Sequence, residues 1–344
     1  MPGLSLPFLG RCLRAGLACL ALAVPALAAH AQGKADTAPV CPPAATPIGP
    51  ADAEAARRDD RDRGLLWRIE KDGRTSWLYG TIYAAERGWV LPGPAVREAL
   101  RRADRIALEV DLMDPAVAGG LATAVMPGPR TPPLPEPLAR RLRVQSQALC
   151  ADAALARLRP EIQLMSLVGL AARTAGIDPA YGIDLFLAGL ARAMDKKVVS
   201  LESAEAQIAL LVSDDPAKVA RTMDEGLRQL EGGQARKIIA TLTRAWADGQ
   251  LETLRHYGDW CDCLKTAEDR ADYARIVEGR NPALAAGIAA QHAAGHAVFA
   301  AVGVLHTVGP EGLPDLMAAK GFRVTRVPHA PQGPRQRKPP NAPQ

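Results

Sequence analysis

The amino-acid sequence predicts an α/β protein whose mixed sheet is built from the two ends of the domain and interrupted by a large helical insert. Apolar, strand-like segments lie near both ends of the globular region. Residues 135–296 repeat apolar side chains at three- and four-residue spacing, which is typical of helices. Both ends also share one order of elements, indicating a pseudo-repeat: a strand, a glycine-containing turn, a helix and a second strand.

The N-terminus is predicted to be a cleavable secretory signal that ends at Ala31. Arg11 and Arg14 precede an apolar run over residues 15–27, and small residues follow it. The run is too short to cross a hydrocarbon core about 30 Å thick as a helix. The alternatives are a buried N-terminal helix and a lipoprotein signal, but Cys19 lies in the middle of the run rather than at its end. We therefore expect a secreted protein, periplasmic in a Gram-negative host, without a membrane span after cleavage.

The chain after the signal (residues 1–31) divides into three parts by composition. Residues 32–62 are rich in Ala and Pro and then in charge, which indicates a flexible lead-in. Residues 63–327 form one predicted domain, and residues 328–344 hold six prolines and are predicted to be a disordered Pro-rich tail. The net charge of +5 is scattered and aromatic residues make up only 4% of the chain, so we expect no nucleic-acid surface.

The domain is predicted to begin with a hairpin. Residues 65–69 and 76–79 are strand-like, and Asp72-Gly73 between them is typical of a hairpin turn. The further predicted elements are a helix from Pro92 to Ala103, a strand over 105–110, helices over most of 135–296, a short strand over 197–201, a strand over 297–302, a helix over 311–320 and a closing strand over 322–327.

Four cysteines remain after signal cleavage, and export makes disulfides possible. Cys261 and Cys263 are separated by one residue, which is poor geometry for an unstrained bridge between them. We therefore expect Cys150 to pair with Cys261 or Cys263, and Cys41 to pair with the remaining one or stay free. The alternatives are free thiols and a redox or metal role, although a metal site at Cys261 and Cys263 lacks a second close pair.

The pseudo-repeat places one turn motif after each of two strands. The motifs are Gly-Thr-Ile-Tyr at residues 80–83 and Gly-Val-Leu-His at residues 303–306. Ligands of open α/β sheets bind at the carboxyl ends of strands, so His306 is a candidate metal ligand or general base. The alternative is a packed loop histidine. His292 and His296 have the spacing of a helical metal pair, but a strand begins directly after them and we interpret both as structural.

Charged and polar residues near predicted element ends form a second group of candidates. Glu109 ends an apolar strand, so its carboxylate must be paired, solvated or bound to a cation. Asp111 lies on the same face two residues later. Arg280 is a candidate anion clamp, whereas Asn281 before Pro282 is explained as a helix N-cap.

Six segments, taken in order, resemble a known family. They are Leu-Tyr-Gly-Thr-Ile at 78–82, Ala-Leu-Glu-Val-Asp at 107–111, Tyr-Gly-Ile-Asp at 181–184, the run 199–207, Arg-Asn-Pro at 280–282 and the run 302–313. This ordered set resembles the TraB/GumN family, which is related to the Tiki metallopeptidases and more distantly to the erythromycin esterase and ChaN-like proteins. The resemblance spans residues 65–327.

The resemblance implies two Gly-x-x-His motifs, an acidic residue after the second strand and, in the Tiki branch, divalent-metal-dependent hydrolysis. The site residues carried over to this chain are Glu109, His306, Arg280 and Asn281, with His306 and Glu109 as metal ligands. Asp184 and Glu202 also match family positions, and we expect the first to orient the helical insert and the second to end the short strand near the site. The implied cofactor is a divalent cation such as Mn²⁺, Co²⁺ or Zn²⁺.

The first motif departs from the family because Tyr83 stands in place of its histidine. A phenol with a pKa near 10 binds hard divalent cations poorly unless it is ionised. We therefore interpret the chain as a degenerate member, an exported binding or accessory module for a peptide or small-molecule ligand. The alternative is a Tiki-type metal-dependent hydrolase or peptidase in which Tyr83 is an unusual ligand or a hydrogen-bond donor to the transition state.

Two expectations follow from this interpretation. Tyr83, Glu109 and His306 should converge in one cleft because all three lie at or near strand ends. Metal binding by the native chain should be weak, with Kd in the micromolar range or above, and Tyr83→His should tighten it by at least about tenfold.

Overall fold

The computed structural model describes residues 41–58 and 61–329. The predicted secretory signal and most of the predicted Pro-rich tail lie outside the described residues, so both stay predictions. Within those two ranges, no helix combines the length and the apolar character needed to cross a lipid bilayer.

A six-stranded mixed sheet lies at the centre of the fold. The described residues form eight strands, six of which belong to this sheet: β1 (Leu65–Lys71), β2 (Arg74–Thr81), β3 (Ala85–Glu86), β4 (Arg105–Leu108), β5 (Ile177–Asp178), β6 (Lys197–Ser200), β7 (Val298–Gly303) and β8 (Arg323–Val327). The sheet has the order β6-β4-β7-β2-β1-β8, and β3 pairs separately with β5. β1 is antiparallel to both of its neighbours, whereas the other pairs in the large sheet are parallel. The predicted α/β class is therefore confirmed.

The four parallel strands β2, β7, β4 and β6 end at the same edge of the sheet. Thr81 lies opposite Gly303, and Leu108 lies opposite both Ala301 and Ser200. β7 is buried along almost its whole length, as expected for a parallel strand that is covered on both faces. The segments that leave these strands are therefore neighbours in space, although they are far apart in the sequence.

The helices flank the sheet, and most of them lie between β4 and β7. They are α1 (Pro50–Arg58), α2 (Pro94–Arg102), α3 (Pro115–Ala124), α4 (Glu136–Ala148), α5 (Asp152–Leu155), α6 (Pro160–Leu170), α7 (Ile183–Ala193), α8 (Ala204–Leu211), α9 (Pro216–Glu231), α10 (Gln234–Ala247), α11 (Leu251–Arg255), α12 (Tyr257–Trp260), α13 (Ala267–Ile276), α14 (Asn281–Ala293) and α15 (Leu313–Ala319). Short 3₁₀ turns cover Arg87–Trp89, Arg173–Ala175, Pro179–Tyr181, Glu278–Arg280 and Val304–Thr307.

Local sequence explains where several of these helices begin. The carboxylates of Asp114 and Asp215 accept backbone N–H groups of the first turns of α3 and α9, and the Ser203 hydroxyl does the same for α8. Thr266 and Asp269 form a reciprocal capping box at the start of α13. Each cap satisfies a donor that the helix itself leaves unpaired.

Trp246 attaches the helical insert to the sheet. Its fully buried indole donates from Nε1 to the carbonyl oxygen of Gly80 at 2.7 Å. Its own carbonyl oxygen accepts from the N–H of Gly64 at 3.0 Å, and its ring centroid lies 6.3 Å from that of Trp89. These contacts hold α10 against the end of β2, one residue before Thr81.

The two ends of the domain contribute strands to one sheet. β2 leads through the turn Arg87–Trp89 and α2 to β4, and β7 leads through the turn Val304–Thr307 and α15 to β8. However, β4 is placed beside β7, whereas β8 is placed beside β1. A repeat relation between the two units therefore stays a prediction.

Part of the expected flexible lead-in has defined structure, since residues 50–58 form α1. Asp52 accepts from Arg87 Nη2 at 2.8 Å, and the N–H of Thr46 donates to the hydroxyl of Tyr181 at 2.8 Å. These contacts join the segment to distant parts of the chain.

The expected disulfide pairing is wrong. Cys41 bonds to Cys150, and Cys261 bonds to Cys263. Asp262 adopts a φ of 55°, and the resulting turn brings the Cα atoms of Cys261 and Cys263 to 5.1 Å. The first bridge spans 109 residues and stabilises the fold by about 5 kcal/mol in the chain-entropy model, whereas a three-residue ring contributes only about 1.5 kcal/mol.

Gly64→Ala should lower the free energy of unfolding by at least about 3 kcal/mol, because its φ is 75° and a Cβ would lie 2.8 Å from Gly80, Tyr79 and Trp246 atoms. Gly73→Ala is the matched control, since Gly73 has a φ of 72° and open space around it. We expect it to cost only about 1 kcal/mol. Urea unfolding of the three proteins measures both values, and equal costs would contradict this account of how Trp246 is held.

Candidate functional site

The segments that follow the parallel strands surround a cleft of about 360 Å³. Tyr83 follows β2, Glu109 follows β4, and His306 lies in the turn after β7. Arg280 enters from the turn before α14, and Asp184 enters from the first turn of α7. The lining thus brings together Tyr83, Glu109 and His306, which the sequence placed at or near strand ends.

The guanidinium of Arg280 lies at the centre of the polar floor of the cleft. Its Nε donates to Glu202 Oε1 at 3.0 Å, and its Nη2 donates to both Glu109 Oε2 and Glu202 Oε2. Its Nη1 donates to the carbonyl oxygen of Ile276 at 3.0 Å and lies 3.2 Å from His306 Nε2. Burial alone would lower the pKa of Arg280, but the two carboxylates raise it. The predicted anion clamp therefore holds the protein's own carboxylates.

Glu109 is held by donors from three different elements. Its Oε1 accepts from the N–H of Gly303 at 2.6 Å, because β4 and β7 are neighbours in the sheet. Its Oε2 accepts from Gln207 Nε2 at 3.0 Å in addition to Arg280. Burial works against the charge, but the nearby guanidinium of Arg280 and the N–H of Gly303 lower the pKa of Glu109 below its usual value. The carboxylate is therefore ionised at neutral pH.

The hydrogen bonds of His306 define its tautomer. Asn281 Nδ2 donates to the carbonyl oxygen of Glu311 at 2.8 Å, so its Oδ1 accepts the proton of His306 Nδ1 at 2.7 Å. The lone pair on Nε2 is then left to accept from Arg280 Nη1. Burial lowers the pKa of His306 and outweighs the opposing effect of Glu109. The imidazole is therefore neutral at pH 7.

Asn281 is not the N-cap that the sequence predicts. It is the first residue of α14, Arg280 occupies the cap position, and no side chain in the described part of the chain caps the helix there. The turn Glu278–Arg280 leads directly into α14, so the helix begins one residue earlier than expected. The buried amide is thereby free to orient His306.

Asp184 is a partly buried carboxyl group on the wall of the cleft. Its Oδ1 accepts from the hydroxyl of Thr81 at 2.8 Å. Burial raises its pKa to about 7, with a contribution from the charge of Glu109 and against the effect of the Thr81 hydrogen bond. Asp184 therefore exchanges a proton close to neutral pH, a property that the sequence does not indicate.

Tyr83 lines the cleft, and 48% of the residue is exposed. The surrounding protein and the nearby Tyr257 nevertheless raise the pKa of its phenol above the usual value. The phenol is therefore protonated at neutral pH and can donate a hydrogen bond, but it does not supply a phenolate.

Three other residues singled out from the sequence are engaged elsewhere. Asp111 is paired with Arg192 Nη2 at 2.6 Å. His292 lies 2.8 Å from Ser76 Oγ through Nδ1 and 3.0 Å from the carbonyl oxygen of Lys71 through Nε2. His296 lies beyond the end of α14.

The sequence placed Glu202 near the site but indicated no partner for it, and it did not indicate Gln207. Gln207 Nε2 donates to both Glu109 and Glu202, and Glu202, two residues after the short strand β6, binds Arg280. Both residues stand in a segment that resembles the family, but their spacing alone carries no signal of this chemistry. They reach the site because β6 pairs with β4, as the N–H of Glu202 donating to the carbonyl oxygen of Glu109 at 2.9 Å shows.

The residues of the cleft do not fit the divalent cation that the resemblance implies. Among residues 41–58 and 61–329, no group of three or more His, Cys, Asp or Glu side chains is placed to hold a metal ion. Glu109 and Glu202 instead share Nη2 of Arg280, and His306 faces Nη1 of the same guanidinium. Their donor atoms are thus committed to a cation that the protein supplies.

Asn281→Asp should raise the pKa of His306 by at least about one unit, because a carboxylate would then face Nδ1–H and stabilise the imidazolium. In the native chain the pKa of His306 should lie below the usual histidine value. Proton–nitrogen NMR across pH measures both, with His306→Gln used to assign the signals. An unchanged pKa in Asn281→Asp would contradict the contact.

Asp184→Asn should become more stable relative to the native chain as pH rises. The pKa of Asp184 is higher in the folded chain than in the unfolded chain, so its protonated carboxyl stabilises the fold. This contribution is fully present at pH values below the unfolded pKa and is lost as pH rises through about 7. The stability difference between variant and native should therefore grow by on the order of 2 kcal/mol from pH 5 to pH 8. Urea unfolding at the two pH values tests this, and a constant difference would disprove the raised pKa.

Comparison with known protein families supplies an independent finding. The TraB/PrgY/gumN family matches residues 65–326. No curated protein and no solved structure matched the chain. The family match runs from the first strand of the sheet to the last and includes every residue of the polar floor, so the chain belongs to the TraB/PrgY/gumN family.

Proposed function

We propose that this protein is an exported binding or accessory module of its family, and that its cleft binds a peptide or small molecule without a catalytic metal. One observation carries the proposal. The guanidinium of Arg280 lies between Glu109, Glu202 and His306, where a divalent cation would have to lie in a hydrolase built on these donors.

The chemistry of arginine explains why this arrangement opposes metal binding. A guanidinium keeps its charge at any ordinary pH, and its planar fork matches carboxylate oxygens. Only 13% of the Arg280 side chain is exposed, as are 18% of Glu109 and 12% of Glu202. A divalent ion at these oxygens would therefore meet a fixed positive charge in a poorly solvated place.

The shape of the cleft supports an organic ligand. Its walls are mostly apolar, formed by residues such as Ile82, Leu242 and Leu305, while its floor carries charged and hydrogen-bonding groups. Pockets of this size and composition typically hold a small molecule or the side chains of a peptide. Tyr83, which lines the cleft, can donate a hydrogen bond to such a ligand.

Two features of the chain support export. The N-terminal sequence has the three-part pattern of a secretory signal. The two disulfides Cys41–Cys150 and Cys261–Cys263 suit an oxidising compartment outside the cytoplasm. A periplasmic location in a Gram-negative host agrees with both.

Replacement of Arg280 should open the position for a metal ion. In calorimetric titrations of the mature chain with Mn²⁺, Co²⁺ and Zn²⁺, the native protein should bind with Kd in the micromolar range or above. Arg280→Met should bind at least about tenfold more tightly, because it releases three donors. Arg280→Lys is the matched control, since it keeps the positive charge and should bind as weakly as the native chain.

The same titration separates the two interpretations of Tyr83. Since Arg280 already occupies the centre of the donors, the gain expected from Tyr83→His should appear only when Arg280→Met is also present. The Tiki-type hydrolase would take first place if the native chain bound metal stoichiometrically, lost it in Tyr83→Phe, and cleaved a peptide library in a metal-dependent way that Glu109→Gln abolished.

A further inference from the structure

The bridge between Cys261 and Cys263 has no role in the candidate site and gives little to the stability of the fold. It joins residues two positions apart at the end of α12, whereas the Cys41–Cys150 bridge spans 109 residues. A disulfide stabilises mainly by restricting the unfolded chain, and a three-residue ring restricts it very little. The small ring therefore needs a different explanation.

The backbone inside this ring favours opening. Asp262 has a φ of 55°, in the left-handed region that residues with a side chain rarely adopt. Gln234 Nε2 supports the turn by donating to the Asp262 carboxylate at 2.9 Å and to its carbonyl oxygen at 3.1 Å. Breaking the sulfur–sulfur bond removes one of the restraints that hold Asp262 in this left-handed conformation. This release favours the reduced state of the pair.

The two sulfur atoms differ in access and in hydrogen bonding. Cys261 is fully buried, whereas Cys263 is only partly buried and can be reached by an incoming thiolate. The N–H of Cys263 donates to Cys261 Sγ at 3.1 Å, which stabilises negative charge on that sulfur. Exchange is faster when the departing sulfur is stabilised as a thiolate. Cys263 is therefore the sulfur that is attacked, and Cys261 is the leaving group.

The surroundings of the pair supply a second donor. The hydroxyl of Tyr257 lies 3.5 Å from Cys263 Sγ, and burial raises the pKa of its phenol, so it stays protonated. It can thus donate to Cys263 when that sulfur in turn leaves as a thiolate. Asp262 inside the ring pairs with Lys265, whose Nζ lies 2.5 Å from the Asp262 carboxylate.

We propose that Cys261–Cys263 is a thiol–disulfide exchange site that oxidises an external dithiol. A thiolate of the dithiol attacks Cys263 Sγ, the bond to Cys261 breaks, and Cys261 leaves as a thiolate that takes up a proton. The second thiol of the dithiol then loses its proton and attacks the other sulfur of the same dithiol, which is bonded to Cys263 in the mixed disulfide. Cys263 leaves as a thiolate and takes up a proton. The external dithiol becomes a disulfide, and the protein gains two electrons and two protons.

The native mature chain tests this with an internal control. The protein is equilibrated with graded mixtures of reduced and oxidised glutathione, quenched in acid, alkylated and mapped by mass spectrometry. The relevant ratio is the squared concentration of reduced glutathione divided by the concentration of oxidised glutathione. The ratio at which half of Cys261–Cys263 is reduced should be at least about tenfold lower than the ratio at which half of Cys41–Cys150 is reduced. Equal ratios, or a more resistant Cys261–Cys263, would overturn the proposal.

Two single variants test the direction of attack. Cys261→Ser leaves the accessible sulfur of Cys263, and Cys263→Ser leaves the buried sulfur of Cys261. With oxidised glutathione, Cys261→Ser should form a mixed disulfide at least about tenfold faster than Cys263→Ser. Equal rates, or a faster Cys263→Ser, would overturn the assignment of Cys263 as the attacked sulfur. If either variant fails to fold, the glutathione equilibrium of the native chain still decides the main proposal.

Discussion

The positive charge of Arg280 is the constraint on which the cleft depends. Glu109 and Glu202 lie close together with little exposure to water, and two such carboxylates are stable together only when a cation is shared between them. Arg280 binds both of them and also faces the lone pair of His306. It therefore separates two carboxylates that would otherwise repel each other, and it donates to the lone pair of His306.

The sheet topology makes this meeting possible. The carboxyl ends of β4, β6 and β7 lie side by side, so Glu109, Glu202 and His306 reach one place from three separate parts of the chain. Arg280 reaches them from the turn before α14, although it lies 171 positions after Glu109 and 78 positions after Glu202 in the sequence. Trp246 holds the helical insert against the end of β2, which sets the opposite wall of the cleft.

The sequence indicated what is local and missed what depends on distant contacts. The hairpin, most strand positions and the placement of Glu109 and His306 at strand ends follow from apolar runs and turn residues, and the structure agrees. The hydrogen-bond and ion-pair partners of Glu109 and His306 could not be predicted from the sequence. Arg280 was expected to hold an outside anion, yet it holds two carboxylates of its own chain. The predicted disulfide pairing was wrong for a related reason. The left-handed turn at Asp262 allows a bridge between Cys261 and Cys263, which are separated by only one residue.

The most direct test of the account is a crystal structure of the native chain grown with Mn²⁺ and recorded with anomalous diffraction. We predict no anomalous peak between Glu109, Glu202 and His306, with the Arg280 guanidinium bound to both carboxylates as described. A peak at that position, with Arg280 displaced from Glu109, would contradict the central claim that the chain supplies its own cation at this site.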